Sequence, residues 1–132
     1  MYKVVYARAH AVDRSCSRVN LDEDAAVVRR HLSALFSFHD VTLSRRAVHS
    51  PSVSGDGRAA TILHIASHGN PHGVVIDGDD GPHIMTQHDI RGLASHYAPS
   101  LLVLASRSQP GLALAQSVAG TMVRHVVLMW VG

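Results

Sequence analysis

The sequence predicts an α/β fold: a three-layer sandwich in which a mostly parallel sheet carries helices on both faces. Three observations predict it. Two short, continuous apolar runs, residues 60–66 and Leu101–Ala105, have the pattern of strands buried on both sides. Segments with apolar residues at helical spacing alternate with them. The N-terminal stretch, residues 3–9, alternates and is rich in β-branched residues, as a strand does.

The elements follow in order. Residues 3–9 form the first strand, and residues 10–19 are a polar, basic loop. Asn20-Leu21-Asp22-Glu23 is a helix start, with Asn20 as N-cap, Glu23 at the third position and acids in the first turn. Leu21, Ala25, Val28, Leu32 and Leu35 give that helix its apolar stripe. Residues 39–48 read as a second strand, and residues 50–58, with Pro51, Gly55 and Gly57, as a loop. After the strand at 60–66, residues 73–78 and 82–85 make a hairpin turning through Asp79-Asp80-Gly81. Thr86-Gln87-His88-Asp89 opens a second helix that buries Ile90, Leu93, Ala94 and Tyr97, with Pro99 beyond its end. After Leu101–Ala105, Pro110 suits the first turn of a third helix. Leu112, Ala115, Val118 and Ala119 face its core side, and Gly120 suits the C′ position. Residues 123–131 form the last strand.

At 132 residues the chain predicts one domain spanning 1–132. A chain of this size buries about 68% of its unfolded surface, enough for a core without staples. No apolar run approaches the roughly 18 residues of a membrane span, and the N-terminus lacks the apolar stretch of a signal peptide. The single cysteine, Cys16, fits a reducing compartment, so a cytoplasmic location is expected. The net charge is only +2, although the isoelectric point is about 9.1. The basic residues are scattered apart from Arg29-Arg30 and Arg45-Arg46, and that is no nucleic-acid footprint. Neither nucleic acid nor membrane is an expected partner. Eleven histidines make the surface charge sensitive to pH between 5 and 8.

Both doubly buried strands end abruptly in polar residues. One stops at Ser67-His68-Gly69, the other at Ser106-Arg107-Ser108. In an open α/β sheet, ligands bind at the carboxyl ends of the strands. An imidazole and a hydroxyl there make a base and a candidate nucleophile.

The segments ILHIASHG, the hairpin ending in DGDDG, the T-x-x-D-I helix start and LLVLASRS together resemble the CHAT branch of the caspase-like, clan CD cysteine peptidases. KVVYARA followed by LDEDAAVVRRHL is similar to that branch too, and the resemblance covers residues 4–131. It implies the caspase-like form of the three-layer sandwich. It also implies a His/Cys dyad, with His68 as base and the backbone N–H groups of Gly69 and Ser106 as the oxyanion site. The sequence departs from the family at the nucleophile: Ser106 stands where Cys is expected, and a one-residue shift would put Arg107 there. A hydroxyl is a far weaker nucleophile than a thiol, so the chain as written is expected to be an inactive or impaired endopeptidase. A Cys-to-Ser substitution and a natural pseudo-peptidase both produce such a sequence. The resemblance further implies a polypeptide substrate or a sensor protein as partner, a role in regulated proteolysis or bacterial defence, and no cofactor. Domains of the family usually extend beyond the last strand seen here.

Arg8, His10, Arg14 and Arg107 are candidates for reading an acidic substrate side chain by bidentate pairing. Asp77 and Asp79 are candidates for reading a basic one. His64, His68 and His72 form an H-x-x-x-H-x-x-x-H string, but three imidazoles at that spacing share a face only on a helix. This stretch reads as strand then loop, so no metal is expected. His64 is assigned to packing, Asp79 and Asp80 to the hairpin turn, and Cys16 to an incidental thiol. An interaction module on the same fold is the alternative. A Rossmann-like binder is disfavoured, since Arg8-Ala9-His10 stands where a G-x-G-x-x-G loop would begin.

Overall fold

The computed structural model describes residues 2–9, 21–32, 34–45, 48, 61–67, 72–78, 81–105 and 109–129. Its sheet is built from β1 (Tyr2–Ala9), β2 (Phe36–Leu43), β3 (Ile62–Ser67), β6 (Leu101–Ala105) and β7 (His125–Met129). They lie in the order β2-β1-β3-β6-β7, and every neighbouring pair is parallel. β4 (Val75–Gly78) and β5 (Gly81–Ile84) form the separate antiparallel hairpin that the sequence predicts. The helices are α1 (Leu21–Leu32), α2 (Gln87–Tyr97) and α3 (Gln109–Val118).

The strand order follows from connection handedness. Right-handed crossovers that move one way along a sheet use one face, and those that move the other way use the opposite face. β1 to β2 moves outward through α1. Ala25 of that helix packs with Tyr6 and Ala66, with Val28 and Phe38 beside them. The chain then reverses direction. Leu93 of α2 and Leu114, Ala115 and Val118 of α3 pack on Val5, Leu63, Ile65, Leu102 and Leu104 of the other face. This is the three-layer α/β sandwich, with the larger core under α2 and α3 and a small one under α1. The direction of crossover reverses between β1 and β3.

Local chemistry explains the helix ends. Thr86 caps α2: its Oγ1 accepts from the Asp89 N–H, and the Asp89 carboxylate accepts from the Thr86 N–H. α2 buries Asp89, Ile90, Leu93, Ala94 and Tyr97. α3 ends at Val118, and Gly120 sits at φ 75°, the left-handed C′ geometry that glycine adopts freely.

Several boundaries differ from the sequence reading: β3 runs Ile62–Ser67 rather than 60–66, and the hairpin strands run Val75–Gly78 and Gly81–Ile84 rather than 73–78 and 82–85. β2 runs Phe36–Leu43 rather than 39–48. The ring pairs Tyr2–Phe36 and Tyr6–Phe38, at 5.6 and 5.9 Å, accompany a register that starts at Tyr2↔Phe36. Beyond it, the Val48 N–H donates to the Ser44 carbonyl at 2.9 Å, an i to i−4 helical bond. α1 stops at Leu32, so Leu35 is not part of its stripe and is 68% exposed. β7 begins at His125 rather than 123, because the Val123 N–H still bonds back to Val118; its predicted end at 131 and the N-cap Asn20 lie outside the described residues.

Candidate functional site at the carboxyl rim of the sheet

β3 and β6 are adjacent and parallel, and their ladder runs from Ile62↔Leu101 to Ile65↔Leu104. On its other side β3 stays paired with β1 as far as Ala9↔Ser67. The two central strands therefore part at the carboxyl rim while β3 is still held by β1. A side-chain bond spans that parting: the Ser67 hydroxyl donates to the carbonyl of Ala105. Ser67 is 3% exposed, and it shares its face of β3 with Leu63 and Ile65 by strand alternation.

Ser67 and Ala105 directly precede His68 and Ser106 in the chain. The described strands thus bring together the two residues that precede the predicted dyad in the chain. His68, Gly69, Ser106 and Arg107 themselves lie outside the described residues, as do His10, Arg14, Cys16, Asp79 and Asp80.

Arg8 and Asp77 are described, Arg8 on β1 and Asp77 on the hairpin strand β4. Arg8, on β1, holds Asp40 of β2 through Nε and Nη2 at 2.9 and 2.7 Å. Its guanidinium lies 5.7 Å from the centre of the Tyr6 ring. Arg8 and Asp40 border a shallow cleft of about 210 Å³ with Ala25, Ala26, Arg29 and Phe38. A substrate carboxylate at Arg8 would have to compete with Asp40. Asp77 is in the hairpin, opposite Pro82 and bridged to Ser44 just past the end of β2.

Beneath α1 is a polar cluster that the sequence reading did not assemble. The Tyr6 hydroxyl donates to Asp24 Oδ2 at 2.5 Å. His64 Nε2 stands 3.9 Å from the same oxygen, and its ring stacks on Tyr6 with centroids 5.0 Å apart. Burial holds the His64 pKa below its ordinary 6.5, with Asp24 opposing the shift. Burial, with help from the Asp24 bond, holds the Tyr6 phenol protonated well above its usual range. His64 is thus a packed residue, and His72 is exposed in the turn before the hairpin. Among the described residues, no group of three or more His, Cys, Asp or Glu side chains is placed to hold a metal.

On the opposite face, His83 Nε2 lies 2.9 Å from Asp89 Oδ2, joining the hairpin to the cap of α2. Burial raises the Asp89 pKa. Hydrogen bonds from the Thr86 backbone, His83 and the Thr86 hydroxyl outweigh that and hold it below the ordinary 3.8.

The described residues define a class, the parallel α/β sandwich, with its central strands β3 and β6 tied at their carboxyl ends by Ser67 and Ala105. Comparison with protein-family models, curated proteins and solved structures finds no match. No helix among the described residues is long and apolar enough to cross a membrane.

Proposed function

We propose that the chain is a CHAT-type, caspase-like domain in which Ser106 holds the nucleophile's place beside His68, with peptide hydrolysis lost or impaired. One observation carries this reading. β3 and β6 are adjacent and parallel, and their last residues, Ser67 and Ala105, are tied together. In the sequence Ser67 is followed by His68-Gly69, and Ala105 by Ser106, the residue where the family has its cysteine. In a competent relative of this arrangement the nucleophile bonds to the scissile carbonyl carbon, and the imidazole moves its proton to the leaving amine. The backbone N–H groups of Gly69 and Ser106 would steady the oxyanion. Serine in that place lacks the ready ionisation of a thiol. A regulated proteolytic or defence system in the cytoplasm is the setting this reading gives the domain, with a polypeptide or sensor protein as partner.

The test is chemical. The Ser106→Cys thiol is expected to react with iodoacetamide at pH 6.5 about tenfold faster than Cys16, because an adjacent imidazole and a helix N-terminus lower a thiol's pKa. His68→Ala should remove most of that advantage. Equal rates at the two thiols, unaffected by His68→Ala, would overturn the peptidase reading. They would favour the alternative, a protein-interaction module, for which the exposed Val127 and Met129 on edge strand β7 are the supporting observation.

A further inference from the structure

We infer that the cleft between α1 and β2 is a carboxylate-binding site, with Arg29 as the residue that holds the anion. The site is independent of the peptidase reading, and every residue that lines it is described.

α1 carries three basic residues in its last turn, Arg29, Arg30 and His31, and of these Arg29 is the one that lines the cleft. Ala25 lies one turn before it on the same face of the helix. Ala25 and Ala26 are the other helix residues of the lining, and their short side chains leave open the space that Arg29 borders. Across from them stand Phe38 and Asp40, two residues apart and so on one face of β2. The Arg29 guanidinium lies over the Phe38 ring, 5.9 Å from its centre, within range of a cation–π attraction.

The two arginines of the cleft differ in what they can still bind. Arg8 engages the Asp40 carboxylate through Nε and Nη2 at 2.9 and 2.7 Å, and that pair is neutral as a unit. Among the described residues Arg29 has no carboxylate partner. Asp24, which precedes Ala25, turns to Tyr6 and His64 and does not line the cleft. A guanidinium that meets a ring with its face keeps its in-plane N–H groups for a second partner, and that planar fork matches a carboxylate. The cleft thus offers one positive charge beside the apolar surfaces of Ala25, Ala26 and Phe38. A monoanion neutralises it, whereas a dianion would set a surplus negative charge against Asp40. At about 210 Å³ the cleft is smaller than the roughly 300–1,000 Å³ of sites that enclose a drug-sized molecule. It fits a small organic acid or one acidic side chain of a polypeptide, each of which presents a carboxylate on a short apolar stem.

Titration of the isotope-labelled chain with benzoate, followed by NMR, tests the site. Benzoate should shift the amide signals of Ala25, Ala26, Arg29, Phe38 and Asp40 and the Nε–H signal of Arg29. Saturation is expected at about 1–10 mM, as for a ligand of this size with one charged anchor. Benzamide, the neutral isostere, should leave the signals unmoved. Arg29 is exposed, so Arg29→Gln should fold as the parent chain does, and it should weaken binding about tenfold. Arg29→Lys keeps the charge without the fork and should weaken it about threefold. Asp40→Asn releases Arg8 and should tighten it about threefold. N-acetylglutamate amide identifies the source: saturable binding at the same residues assigns the cleft to an acidic side chain of a polypeptide, and binding of benzoate alone assigns it to a free acid. Equal shifts with benzamide, an affinity unchanged in Arg29→Gln, or no saturable shift with either acid would overturn the inference.

Discussion

Tyr6 and Asp24 join the first strand to the first helix by a hydrogen bond of 2.5 Å from phenol to carboxylate. The bond stands where apolar burial is thin, since α1 contributes Ala25 and the partly buried Val28 to a cluster much smaller than the one on the opposite face. Tyr6 is fully buried, whereas the Asp24 side chain is 40% exposed. Water can therefore take over part of what the phenol gives the carboxylate.

Tyr6→Phe keeps the ring, its stacking on His64 and its contact with Phe38, and removes only the donor. Hydrogen bonds to charged groups contribute about 1.5–3 kcal/mol. Solvent access at Asp24 puts the expected loss near the lower end, about 1–2 kcal/mol. Urea denaturation should show a lower midpoint with an unchanged slope. A midpoint equal to that of the parent chain would mean that α1 is held by its apolar contacts alone.

His64 gives the same face a dependence on pH. Its side chain is 9% exposed, and burial depresses its pKa, with the neighbouring Asp24 partly offsetting the effect. The folded state thus resists a proton that the unfolded chain accepts at about 6.5. Its stabilising contribution is present in full above that value and is lost as pH falls through the lower folded value. His64→Phe retains a ring against Tyr6 and removes the titration. Stability of the parent chain relative to His64→Phe should therefore decline between pH 7.5 and pH 5. Because the other histidines are common to both chains, parallel stability curves over that interval would refute the assignment to His64.

The sandwich was legible because its signals are local and redundant. Residues 60–66 and Leu101–Ala105 could bury both faces only inside a covered sheet. Thr86 with Asp89 declares the start of α2 before any packing is considered. Boundaries that depend on partners were less legible. Phe36 and Phe38 belong to β2 through Tyr2 and Tyr6, rings that are distant in sequence, and Leu35 completes a helical spacing in a segment where the helix has already ended. The rim was legible as two strand ends, since the apolar runs 60–66 and Leu101–Ala105 each break off at a serine, Ser67 and Ser106. Ser67 was passed over because a serine within a motif carries no mark of its partner; the carbonyl of Ala105 becomes that partner only once β3 and β6 are neighbours. Tyr6, Asp24 and His64 went unassembled for the same reason, although Asp24 precedes Ala25 on α1 and both Tyr6 and His64 sit in strands at facing register positions.

Asp89 couples the hairpin to α2 through one carboxylate oxygen, which accepts from the Thr86 N–H at 2.9 Å and faces His83 Nε2 at 2.9 Å. The side chain is buried, so water offers little replacement. Asp89→Asn preserves shape but removes the charge that both partners favour, and the expected loss is about 1–3 kcal/mol at pH 7. The pH dependence identifies the cause. The bonds from Thr86 and His83 outweigh burial and hold the Asp89 pKa below 3.8. Its contribution is therefore fully present above that value and disappears as pH falls through the lower folded value. The difference in urea midpoint between the parent chain and Asp89→Asn should stay constant from pH 7 to pH 5 in the contribution of this carboxylate and shrink below pH 3.8. A difference that persists undiminished at pH 2 would assign the loss to altered packing rather than to the charged cap.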